Sequence, residues 1–95
     1  MEKSIGLNQV KSAVFISGNG SNLESLIKFS LSSSSPIKIN LIISNNTKAK
    51  GLKFAKLYNI RNKNYNFKNK SHAEKIILRD LRAYNIKLIC LAGFM

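Results

Sequence analysis

The chain has 95 residues, 16 of them basic and 4 acidic, for a formal charge of +12 at pH 7, a length that supports one modest core and argues against two domains. Such a charge would ordinarily point to nucleic acid or another anionic surface. Here 13 of the 16 cations are Lys, set among 12 Asn and 12 Ile, the usage of AT-rich coding sequence, and Lys-rich faces are usually just solvated.

No run reaches the ~20 apolar residues of a membrane-spanning helix, and the start, MEKSIGLNQVK, lacks an apolar signal region. One cysteine cannot close an internal disulfide, and nothing has zinc-ligand spacing. The expectation is a cytoplasmic protein without metal or membrane, for which nucleic acid is a disfavoured partner.

Residues 1–10 read as an N-terminal extension. Residues 11–17 (KSAVFIS) are apolar without strict alternation, which fits a strand covered on both faces. In residues 22–31, Leu23, Leu26, Ile27 and Leu31 share one face of a helix. Four serines and the only proline, Pro36, stop that helix and form a loop. Residues 37–44 (IKINLIIS) read as a second strand and SNNTK as a turn. Residues 50–58 follow as a short helix carrying Leu52, Ala55 and Tyr58 or Leu57. The Asn-rich stretch 59–67 has room for a short strand near 61–65. Ala73, Ile76, Ile77, Leu81 and Tyr84 mark a longer helix. Residues 88–92 (LICLA) read as a last buried strand, with Cys90 as a small buried hydrophobe. Strands alternating with helices imply an α/β fold with a doubly wound parallel sheet. Ligands of such sheets bind at the carboxyl ends of the strands, where strand order reverses. The loops to watch are 17–22, 44–47 and 93–95.

The first of these, SGNGSN, leaves a strand and opens a helix. Gly18 and Gly20 permit close backbone approach, and the free N–H groups of the first helical turn suit a phosphate. Ser21 and Asn22 either add donors to that phosphate or act as plain N-caps. Leu23 occupies the place where a dinucleotide fingerprint has its third Gly, no acid ends the second strand, and G-K-[ST] is absent. The pattern therefore disfavours NAD and ATP and favours a phosphorylated small substrate.

ISGNGSNLESLI at 16–27, the Ser44-Asn45 pair and LAGFM at 91–95 together resemble the N-terminal half of the phosphoribosylglycinamide formyltransferase family, folate-dependent enzymes of purine synthesis. The resemblance implies that 11–95 is the phosphate-binding half of that domain, the N-terminal part of a doubly wound, mainly parallel α/β sheet of Rossmann type. It implies that Gly20, Ser21 and Asn22 hold the phosphate of glycinamide ribonucleotide. It also implies that Lys70, standing where the family commonly has Arg, and Phe94 and Met95 face the 10-formyltetrahydrofolate co-substrate. The family's catalytic Asn and His, in N-x-H-P-S, and its Asp, in D-G-G, match nothing here, so no catalytic residue is assigned. The only histidine, His72, reads as an exposed residue at a helix start. The expectation is an inactive, truncated chain, whether from a gene relic, a split gene or an incomplete sequence, that self-associates or pairs with a separate C-terminal half. A stand-alone binding module for a phosphorylated metabolite and a basic nucleic-acid-binding protein are the alternative functions.

Overall fold

A computed structural model of the chain describes residues 9–17, 21–32, 34–46 and 48–92. Four strands and three helices alternate: β1 (Val10–Ile16), α1 (Ser21–Ser30), β2 (Ile37–Ser44), α2 (Leu52–Leu57), β3 (Arg61–Asn64), α3 (Lys70–Ala83) and β4 (Leu88–Leu91). The sheet is wholly parallel, in the order β3-β2-β1-β4. The chain thus steps outward from β1 to β2 to β3, then returns across the sheet to lay β4 on the other side of β1. The α/β class and the alternation expected from the sequence are both present. No helix among the described residues is long and apolar enough to cross a membrane.

Each face of the sheet has its own core. Leu23 and Ile27 of α1 and Ala55 of α2 pack with Val14, Ile16, Ile39 and Ile42 on one face. Ile77 and Leu81 of α3 pack with Ala13, Phe15, Leu41 and Ile43 on the other. Leu23 and Ile27 are fully buried, each contributing about 1.5–3 kcal/mol by removal from water. β2, like β1, serves both cores by alternation, and it also carries a bulge: Ser12 pairs with Ile39 but Ala13 with Leu41, leaving Asn40 as the extra residue. The extra residue shifts the side-chain alternation by one, so Ile39 and Ile42 share a face although three positions separate them.

α2 and α3 end alike. Each is followed by Tyr-Asn-Ile, with the Asn in the left-handed region: Asn59 at φ 57° and Asn85 at φ 59°. Ile60 N–H donates to the Ala55 carbonyl at 2.8 Å and Asn59 N–H to that of Lys56 at 3.2 Å. Ile86 N–H donates to Leu81 at 2.9 Å and Asn85 N–H to Arg82 at 3.0 Å. These are Schellman caps with Asn in the usual glycine place, and each Ile returns its side chain to the core it has just left. At the end of α1, the Ser30 hydroxyl donates to the Ile27 carbonyl at 2.7 Å. Pro36 then leads into β2, and its carbonyl accepts from Val10 N–H at 2.8 Å.

Two expectations fail: Leu31, expected on the helix face, lies past the end of α1 and is exposed, and β4 is not buried. It lies at the sheet edge, with Leu88, Ile89 and Leu91 exposed and Cys90 only half-buried. An apolar run of four residues signals a strand meant to be covered, but strand order decides whether a neighbour is present to cover it.

Candidate functional site

Strand order reverses at β1, which lies between β2 and β4. The crevice at its carboxyl end is therefore the ligand position that a doubly wound sheet provides. β1 ends at Ile16 and α1 opens at Ser21, so the SGNGSN loop spans this reversal point, as the sequence implies. Gly20, Phe94, Met95 and the side chain of Ser21 lie outside the described residues. Asn22 is exposed in the first turn of α1. Leu23 and Ile27, one turn apart on the buried side, fix that helix against the sheet. β4 flanks the same crevice, its exit tied to β1 by Ala92 N–H donating to the Phe15 carbonyl at 2.9 Å.

On the other flank, β2 ends in Ser44, fully buried. Its hydroxyl donates to the Asn46 carbonyl at 2.8 Å and accepts from Asn46 N–H at 3.0 Å. The Asn46 side chain in turn accepts from Lys48 N–H at 2.9 Å. These hydrogen bonds close the turn that follows β2.

Lys70 is the first residue of α3 and is exposed. Asn69 is the N-cap, its side chain accepting from His72 N–H at 3.1 Å, which leaves the Lys70 side chain free of capping duty. His72 is exposed, as expected. Lys70 follows β3 and Ala92 follows β4, and these two strands stand on opposite sides of β1 in the strand order.

A feature missed in the sequence lies between β3 and α3. Tyr65, just after β3, donates its phenolic O–H to the Asp80 carboxylate of α3. Asp80 is 7% exposed, and Arg79 Nη2 stands 3.4 Å from its other oxygen. Burial, then the bond to Asp80, pushes the Tyr65 phenol well above its ordinary range. The bond from Tyr65, helped by Arg79, holds Asp80 below the usual carboxylate range despite its burial. The pair closes one side of a groove of about 410 Å³ that Asn64, Asn66 and His72 also line. The signal was available: an acid stands on the buried stripe of α3 among Ala73, Ile77 and Leu81, and such an acid needs a partner.

The profile of the family described as formyl transferase matches residues 10–95. The chain belongs to the formyl transferase family. It is 39% identical over 88 residues to phosphoribosylglycinamide formyltransferase of Haemophilus influenzae, covering 90% of this chain and 42% of that one. It is 36% identical over 98 residues to the trifunctional purine biosynthetic protein adenosine-3 of Gallus gallus, covering 100% of this chain and 10% of the relative. Among solved structures, phosphoribosylglycinamide formyltransferase from Anaplasma phagocytophilum superposes with a TM-score of 0.79 at 40% identity, covering 90% of this chain and 40% of that chain. The chain therefore spans less than half the length of these relatives, and the family's fold is present over the part shared.

Proposed function

We propose that this chain supplies the phosphate-binding part, residues 11–95 after a ten-residue extension, of a phosphoribosylglycinamide formyltransferase. The whole protein would move the formyl group of 10-formyltetrahydrofolate to the amino group of glycinamide ribonucleotide: the amine nitrogen bonds to the formyl carbon, the carbon–nitrogen bond to the folate breaks, and one proton passes from the amine to the folate nitrogen. The observation that carries this reading is the position of SGNGSN, between the central strand and α1 where strand order reverses. Backbone N–H groups at Gly20 and Ser21, with the side chains of Ser21 and Asn22, are the proposed phosphate donors. Lys70, Phe94 and Met95 are the proposed folate-facing residues. The exposed Lys70 can offer charge to a carboxylate but lacks the planar fork of Arg, so its contact is a single one.

Calorimetry with glycinamide ribonucleotide tests the phosphate site. Gly20→Val is expected to abolish binding by placing a branched side chain over the N–H groups. Ser21→Ala should weaken binding by about 0.5–1.5 kcal/mol, the net worth of one hydrogen bond. Equal affinity in the wild type and in Gly20→Val would overturn the assignment. The exposed β4 edge is the proposed surface on which the chain pairs, with a second copy or with a separate polypeptide.

A further inference from the structure

At the amino ends of the strands, opposite the glycine loop, lies a second groove of about 530 Å³ that formyl transfer does not use. Lys11 of β1, Lys38 of β2 and Arg61 at the start of β3 line it, together with Asn40 and Tyr84. Lys11 and Lys38 are register partners on neighbouring strands, so two like charges stand about one inter-strand spacing, roughly 4.8 Å, apart at the backbone. Arg61 is held in place, its guanidinium 5.0 Å from the centre of the Tyr84 ring and its Nη1 donating to the Tyr84 hydroxyl at 3.3 Å. Among the described residues, no carboxylate lines the groove. Glu24 pairs with Lys28 on α1, Asp80 takes Tyr65 and Arg79, and Glu74 lies in the first half of α3, away from its groove-lining end.

The carboxyl end of α3 favours a nearby cation, which accounts for Arg61 beside Tyr84. It does not account for two lysines placed opposite each other. The bulge residue Asn40 adds a polar, uncharged side chain to the lining. We infer that this amino-end groove binds a polyphosphate, its phosphates between Lys11, Lys38 and Arg61. The volume falls in the range of small-molecule sites.

The test is calorimetric titration of the 95-residue chain with ATP at physiological salt, with tripolyphosphate as competitor. Saturable binding is expected, with tripolyphosphate displacing ATP. Lys11→Gln/Lys38→Gln should raise Kd at least tenfold, and Arg61→Gln, shown by circular dichroism to remain folded at the titration temperature, by a similar factor. Lys53→Gln/Lys56→Gln removes the same charge from the exposed side chains of α2 and should change Kd less than twofold. Gly20→Val should leave this binding intact, which separates it from the site at the other end of the sheet. Absence of saturable binding, or equal weakening by the two double variants, would overturn the inference.

Discussion

The two edges of the sheet are approached in the same way and built from opposite materials. β3 follows Tyr58-Asn59-Ile60 and β4 follows Tyr84-Asn85-Ile86, each helix closed by the same cap. Yet β3 reads Arg-Asn-Lys-Asn, while β4 reads Leu-Ile-Cys-Leu with Leu91 69% exposed. A polar, Lys-bearing edge strand is how proteins prevent unwanted strand pairing, and an apolar one invites it. Topology puts both strands at an edge, but only β3 carries side chains suited to meeting water there.

The largest effect should come from exchanging these materials. If the chain pairs through β4 as proposed, Ile89→Lys/Leu91→Lys should weaken that association in sedimentation equilibrium, and Asn62→Ile/Lys63→Leu should promote association through the other edge. Oligomerisation unchanged by the first pair would mean that β4 is not the pairing edge.

The next largest effect concerns how β3 is anchored. Asp80→Leu would leave the Tyr65 hydroxyl partly buried without its acceptor, and a loss of about 1–3 kcal/mol in denaturant unfolding is expected. Because folding lowers the Asp80 pKa, the stability it adds is present above the ordinary carboxylate value, about 4, and is lost as pH falls through the folded value. The raised Tyr65 phenol acts in the opposite sense: its contribution is present below about pH 10 and is lost as pH rises through the folded value. Asp80→Asn should flatten the acid limb of a stability–pH curve while leaving the fold intact. An acid limb identical to that of the wild type would count against the pair.

Smaller effects are expected at the shared caps. Ala at Asn59 or Asn85 puts an ordinary side chain in the left-handed region and should cost about 1 kcal/mol, whereas Gly should be neutral or stabilising. Similar losses at both positions, read from thermal unfolding, would confirm that the caps are equivalent. The difference between the edges would then lie in the strands alone. The smallest effect should be that of Arg61→Ala, about 0.5–1 kcal/mol for an exposed cation over the Tyr84 ring.

Much of this molecule was legible locally. The helical spacing of Leu23 and Ile27, the break at Pro36 and the apolar run of β2 depend on neighbours a few residues away, so the sequence by itself determined the order of elements and put the glycine loop between a strand and a helix. Three features depended on partners far along the chain. The Asn40 bulge appears only when β2 is laid against β1, the Tyr65–Asp80 bond only when α3 crosses β3, and the exposure of Leu91 only when β4 takes the outer place beside β1. Periodicity specifies which side of an element is apolar, because that is set by the 3.6-residue and two-residue repeats of the backbone. It does not specify which neighbour covers that side. Only the tertiary structure decided that, through pairings between strands distant in sequence.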